Sequence, residues 1–216
     1  MASLEKNVAL VTGGSQGIGQ AIVRTLHAQG CHLVFTYKNA EQQARVLAEE
    51  LNTREARVIA HPLAIEDHHS CLQIIEFIKK TFDKLGILVN NAGHCRDGSF
   101  MTMEPNAWED IIRVDLMGTI QITRACIRSL IDYPEGGSVI NIGSISGEVG
   151  NIGQTNYSAA KAGLTGFTKS LALEVGPLGV RVNQVSPGII DTGMAVHISD
   201  KKKEKMGFEV VGCVAV

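Results

Sequence analysis

A doubly wound parallel sheet of the α/β class, in one domain over residues 1–216, is what this sequence predicts. Two observations carry the prediction. Short β-rich apolar runs alternate along the chain with longer segments of helical period. The first such run also passes straight into a glycine-rich turn that opens the first helical segment. With 44% hydrophobic and 19% charged residues, the composition is that of a globular chain able to bury one substantial core.

Val8–Thr12 reads as the first strand and Ile18–Ala28 as the first helix. Cys31–Thr36 and Ala56–Ala60 follow as strands on either side of a helix over Ala40–Leu51. His68–Phe82 has the clearest helical face, with Cys71, Ile74, Ile75, Ile78 and Phe82 on one side and Asp67 placed as N-cap. Ile87–Asn90, Ser138–Ile142 and Arg181–Ser186 read as the remaining strands, bounded by Gly, Asn or Pro. Helices over Trp108–Ile131 and Tyr157–Glu174 separate them. There is no repeat, low-complexity tract or linker to divide the chain. In such a sheet the ligand lies at the carboxyl ends of the strands, at the switch point.

Charge and cysteine usage exclude several functions. A formal net charge of −2 does not call for nucleic acid or an anionic membrane as partner. Lys201, Lys202, Lys203 and Lys205 form a short basic cluster, read as a solvated helix face. The cysteines at 31, 71, 95, 126 and 213 lack metal-ligand or redox spacing, which suits a reducing, cytoplasmic setting. The start shows no secretory signal, and no apolar run is long enough for a bilayer. His68 and His69 read as solvated surface, since no metal-ligand set accompanies them.

Gly13-Gly14-Ser15-Gln16-Gly17-Ile18-Gly19 follows the first strand. Glycines allow a tight turn and close backbone approach to a pyrophosphate, and the next helix's N-terminus favours the anion. The spacing is TGxxxGxG, and a purely structural βα turn is the alternative reading. At the end of the second strand an acid would hold a ribose 2′-hydroxyl and repel a 2′-phosphate. Here the run Val34-Phe35-Thr36-Tyr37-Lys38 has none. Lys38 can meet a 2′-phosphate as a point charge, which favours NADP over NAD; an ordinary surface lysine is the alternative. Gln16 supplies no second basic contact.

Tyr157 and Lys161 stand four apart on a helix and share a face, and Ser144 lies just past a strand's carboxyl end. Hydride delivery to a carbonyl carbon leaves an alkoxide that needs a proton from a positioned acid. An unperturbed tyrosine titrates near 10, and a nearby ammonium lowers that value. Ser144 can hold the substrate oxygen as charge develops.

TGGSQGIG (12–19), NNAG (90–93), Ser144 in NIGSISG, Tyr157-Ser-Ala-Ala-Lys161 and Pro187-Gly188 occur in this order over Val8 to about Thr192. In this the chain resembles the short-chain dehydrogenase/reductases, in the branch of the 3-oxoacyl reductases. The resemblance implies a Rossmann-like fold. It implies that Gly13, Gly17, Ile18 and Gly19 contact the pyrophosphate. It places Asn91, Ala92 and Gly93 on the adenine-ribose side of the pocket, where they also support the sheet. Ser144 would orient the carbonyl, Tyr157 act as acid or base, and Lys161 bind the nicotinamide ribose and tune the tyrosine. Pro187, Gly188, Ile190 and Thr192 would line the nicotinamide carboxamide. A homodimer through helices 108–131 and 156–174 is implied too. So is a small-molecule or acyl-thioester substrate, for which GQTNYSAAKAG and Arg96-Asp97-Gly98 point to β-ketoacyl thioesters.

Three departures from the family pattern stand out. Asp115 replaces the usual Asn. It is read either as a helix carboxylate near the surface or as a partner of Lys161 through a water, opposing the lysine's effect on the tyrosine. Basic residues expected to flank the entrance for an acidic acyl carrier fall at Leu173 and in Asp132-Tyr133-Pro134-Glu135. Finally, the pattern implies a further helix and strand, so the sequence reads as C-terminally shortened. Arg181–Ser186 becomes an unprotected sheet edge and 194–216 a partial substrate lid. His94 is read either as facing the site or as a loop histidine. Cys95 has nothing nearby to lower its pKa.

The function expected is NADPH-dependent reduction of a carbonyl, a 3-oxoacyl thioester or small ketone, to a secondary alcohol. The alternatives are an NAD-linked alcohol or sugar dehydrogenase, and a dinucleotide-binding sensor or scaffold without turnover.

Overall fold

The computed structural model describes residues 4–188 and 190, together with the backbone of 214 and 215. Its strands are β1 (Val8–Val11), β2 (His32–Tyr37), β3 (Val58–Pro62), β4 (Ile87–Asn90), β5 (Ser138–Ile142), β6 (Arg181–Ser186) and β7 (Val214–Ala215). They form one sheet in the order β3-β2-β1-β4-β5-β6-β7. β1 to β6 pair in parallel. The order reverses between β1 and β4, which creates the crevice at the switch point of a doubly wound sheet.

Alternation along β1 shows how the sheet is covered on both faces. Val8 and Leu10 join a core with Ile74, Ile78, Ile122 and Cys126. Ala9 and Val11 join a second core with Val23, Phe35, Ala44 and Leu47. Side chains of a strand point alternately to opposite faces, so a strand buried on both reads as a continuous apolar run. The first core takes most of its helical residues from α3 (His68–Phe82) and α5 (Thr119–Ile131), the second from α1 (Gly17–Ala28) and α2 (Glu41–Leu51). Asp67 caps α3 as expected, accepting from the backbone N–H of His69 at 3.2 Å and of Ser70 at 3.0 Å.

Strand limits move where pairing decides them. β2 and β3 run on to Tyr37 and Pro62 because those residues pair with each other. β3 starts only at Val58, since Thr53 and Ala56 close a turn before it. The helix read over Trp108–Ile131 is three pieces. α4 (Pro105–Ile111) starts on a proline, and a π-helical turn over Ile112–Gly118 leads into α5. The wider turn directs Val114, Asp115 and Gly118 inward. Gly118 is needed there, because a Cβ would lie 2.9 Å from Ile65 Cγ2. A short α6 (Ser146–Val149), too brief to show a period, precedes α7 (Thr155–Val175).

The expectation of an unprotected β6 edge is corrected at one end. β7 pairs antiparallel with β6, Ala215 opposite Val185 and Val214 opposite Ser186. A two-residue segment far along the chain has no sequence pattern that reveals such pairing. The rest of 194–216, including the lysine cluster at 201–205 and the expected lid, lies outside the described residues. Among the described residues no helix is long and apolar enough to cross a membrane, and no group of His, Cys, Asp or Glu could hold a metal ion.

Candidate active site

The glycine turn closes on the switch point. Gly13 has φ +64°, and a Cβ on Gly19 would sit 2.2 Å from the Gly13 carbonyl oxygen. Only glycine lets the turn fold back so tightly on the start of α1. Gln16 precedes α1 without a side-chain cap, so the first N–H groups of the helix face the crevice without one. The turn is braced from β4. Thr12 Oγ1 accepts from the N–H groups of Asn91 and Ala92, both at 3.0 Å. Asn91 Nδ2 donates to the carbonyls of Thr12 at 3.0 Å and Gly13 at 2.9 Å. The side chain of Asn91 is therefore spent on clasping the turn. A glycine cradle with free helical N–H groups fits a dinucleotide pyrophosphate.

Ser144 stands two residues past β5. Its segment is tied to β6 by the Gly143 N–H on the Val185 carbonyl at 2.8 Å and the Ile145 N–H on the Pro187 carbonyl at 3.1 Å. Ser144 Oγ accepts from the Ser146 N–H at 3.2 Å. Tyr157 and Lys161 lie in the first turns of α7 on one face, with Lys161 Nζ 5.5 Å from the centre of the Tyr157 ring. Lys161 is buried and donates to the Ile142 carbonyl at 3.1 Å. The structure thus brings Ser144, Tyr157 and Lys161 together at the carboxyl end of β5.

The electrostatics correct one expectation. Burial is the largest influence on Tyr157 and pushes its phenol above the ordinary tyrosine range. Cys95, Asp115 and Asp97 add to the rise, and a hydrogen bond with Ser144 opposes it. Lys161 is not free to lower the tyrosine unaided, because its ammonium is 3.5 Å from Asp115 Oδ2. Asp115 is fully buried, neither near the surface nor held at a distance from the lysine. Gly93 makes room for it, since a Cβ there would fall 2.5 Å from Asp115 Oδ2.

His94 faces this cluster. Its backbone N–H donates to Asp115 Oδ1 at 3.1 Å, and its ring Nε2 is 2.8 Å from Asp110 Oδ2. Both carboxylates hold the imidazole above its ordinary range, Asp115 most strongly. The Cys95 thiol is pushed up to about 12, chiefly by desolvation.

On the adenosine side, Lys38 forms an ion pair with Glu66. No acid stands in the run at the end of β2, yet the fold delivers one from beyond β3. The lysine charge expected for a 2′-phosphate is thereby partly engaged, and the Lys38 amine holds Glu66 below the usual carboxylate range. Tyr37 ends β2 beside it, and Ser15 is buried in the glycine turn. Pro187 follows β6, and Gly188 and Ile190 are exposed; Thr192 lies outside the described residues. Leu173 and 132–135 do not flank the entrance of their own chain. They sit at the end of α7 and before β5, at the amino end of the sheet, opposite Ser144.

Several residues that shape the site escaped sequence reading. Buried Asn156 donates to the carbonyls of Arg96 and Ala107 and accepts the Tyr157 N–H at 2.8 Å, joining α7 to the loop after β4. Gln154 accepts from Ser146 Oγ at 3.1 Å and donates to Asp97. Beneath them Asn90 donates to Asn141, Asn141 to Thr168, and Gln184 to Ser186, a polar ladder across β4, β5 and β6. The strand residues among them leave one sequence trace, their position: polar residues inside strands that otherwise read as apolar.

Comparison with known proteins places the chain in a family. The short chain dehydrogenase family model matches residues 7–203. The 3-oxoacyl-[acyl-carrier-protein] reductase FabG of Salmonella typhimurium is 41% identical over 201 residues, covering 93% of this chain and 80% of that protein. FabG of Escherichia coli K12 is 40% identical over the same shares. FabG of Aquifex aeolicus is 41% identical over 204 residues, 94% of this chain and 81% of its own. At that identity over nearly its whole length, the chain belongs to the short-chain dehydrogenase/reductase family of NAD(P)-dependent oxidoreductases.

Proposed function

We propose that this protein reduces the carbonyl of a 3-oxoacyl thioester to a secondary alcohol, using NADPH and the proton of Tyr157. The convergence of Ser144, Tyr157 and Lys161 beside the glycine turn carries the reading. The activity of the 3-oxoacyl-[acyl-carrier-protein] reductases that the chain resembles supports the substrate class.

A nicotinamide held at this site would supply a hydride to the carbonyl carbon. Ser144 donates a hydrogen bond to the carbonyl oxygen, and Tyr157 gives its proton to that oxygen as charge builds there. Lys161, anchored on the Ile142 carbonyl, places its ammonium one helical turn from the phenol and stabilises the phenolate left behind. Gly13, Ser15, Gln16, Gly17, Ile18 and Gly19 would hold the pyrophosphate. Tyr37 and Lys38 would serve the adenosine ribose, with Asn91, Ala92 and Gly93 on the same side. Pro187, Gly188 and Ile190, with Thr192 by the family pattern, would serve the nicotinamide. Pairing of two copies through α5 and α7, and a cytoplasmic setting, belong to the same proposal.

The test is NADPH oxidation with a 3-oxoacyl thioester, wild type beside Tyr157→Phe. Loss of the positioned acid should cost about 10²–10⁴-fold in turnover while NADPH still binds. Equal turnover in both proteins would remove Tyr157 as the proton donor. NADPH binding with no turnover in wild type would favour a sensor. The Glu66 contact on Lys38 is the one observation that favours NADH, and the assay is run with both nucleotides.

A further inference from the structure

A fully buried carboxylate needs an account, because burying a charge is costly unless it is paired. Asp115 is such a group, and the proton transfer described above does not use it. It has two faces. Asp115 Oδ1 accepts the His94 backbone N–H at 3.1 Å and lies 3.4 Å from the His94 ring at Nδ1. Asp115 Oδ2 makes no hydrogen bond, and the Lys161 ammonium stands 3.5 Å away. On the far side of His94, Nε2 meets Asp110 Oδ2 at 2.8 Å. Asp110 is in turn held by Arg113 at 3.0 Å and Arg96 at 4.0 Å. Asp110, His94, Asp115 and Lys161 therefore form one line from a part-exposed rim to the buried foot of Tyr157.

We propose that His94 is a positioning residue whose protonation sets how strongly Asp115 holds Lys161, making the acidity of Tyr157 depend on pH. The proposal rests on the reductase reading of Tyr157 and Lys161.

The chemistry of the line gives the direction. Each ring nitrogen of His94 is aimed at a carboxylate oxygen, and an ionised carboxylate only accepts hydrogen bonds. Both nitrogens are satisfied as donors only in the imidazolium form. That cation balances Asp115 from the side away from Lys161, so the lysine charge acts on Tyr157 with less opposition. A neutral imidazole loses one of those hydrogen bonds. The Asp115 charge then falls on Lys161 and Tyr157 alone, and Asp115 already raises the phenol. Asp97 and Cys95 raise it as well. With His94 held above its ordinary 6.5, the switch operates above that pH and before the tyrosine itself titrates. A weaker phenolic acid transfers its proton more slowly, so reduction slows as His94 loses its charge.

The experiment follows the His94 ring by NMR across pH in wild type, Asp115→Asn and Asp110→Asn, beside kcat and KM for NADPH-driven reduction in those proteins and in His94→Gln. We expect kcat, and not KM, to fall on the order of tenfold through the His94 titration in wild type. We expect the His94 midpoint to drop in both Asp variants. In Asp110→Asn the kcat limb should move down with that midpoint. In His94→Gln and Asp115→Asn the limb should vanish, and the double variant should add nothing further. Asp110 is part-exposed, so its variant tests the coupling even if Asp115→Asn does not fold. A limb that persists in His94→Gln, or that stays put while the midpoint moves, overturns the proposal. A wild type with no turnover, but a midpoint that still answers to Asp115, overturns the reductase reading instead.

Discussion

Two substitutions probe the site residue by residue. Asp115 raises Tyr157, so replacing its charge with a neutral amide lowers the phenol's pKa. Distinct from the limb set by His94, the more alkaline limb where the phenol itself loses its proton should shift to lower pH in Asp115→Asn; pH–rate profiles of the two proteins check this. On the adenosine side, Lys38 is paired with Glu66, and on the proposed reading a 2′-phosphate would compete for it. Glu66→Gln should free it and tighten NADPH by about 1 kcal/mol relative to NADH, whereas Lys38→Asp should swing preference to NADH. Ratios of kcat/KM for the two nucleotides read both effects, and no change in either variant would remove Lys38 from nucleotide choice. The exposed lysine limits the size of the effect, because solvent screens its charge.

Elements whose cause is local were legible in the sequence. The apolar face of α3 and its Asp67 cap are both where the pattern puts them. Asp67→Ala leaves two N–H groups of α3 without their acceptor and should cost about 1 kcal/mol, read as a lower midpoint in urea unfolding. The Tyr157–Lys161 pair needs only five residues of one helix, and the glycine turn only one strand end and one helix start. The segment between Trp108 and Ile131 was misread for a physical reason. A 3.6-residue period carries an apolar stripe through the whole stretch, but the π-turn at Ile112–Gly118 inserts a wider turn. Position 115 falls on that stripe, four residues after Ile111; what the spacing does not show is that its carboxylate is fully buried. α6 and β7 went unseen because four and two residues are too few to repeat.

At the scale of the whole molecule, α7 exposes small and apolar residues beside Lys169 and Glu174. Gly166 and Leu173 are exposed, and a Cβ on Gly166 would meet nothing within 4 Å. A second copy pairing there through α5 and α7 would cover them. Gly166→Arg should then shift the protein from dimer to monomer in sedimentation equilibrium while leaving the circular dichroism of the helices unchanged; a dimer that survives would move the interface elsewhere. The sequence by itself determined the doubly wound sheet, the glycine turn and the Ser144, Tyr157 and Lys161 positions, because periodicity, turn chemistry and helical spacing act over a few residues. Tertiary structure alone decided which charges meet. Glu66 reaches Lys38 across 28 residues, and His94 reaches Asp115 across 21. Electrostatic energy depends on distance in space and on burial, and neither is written in the spacing of residues along a chain.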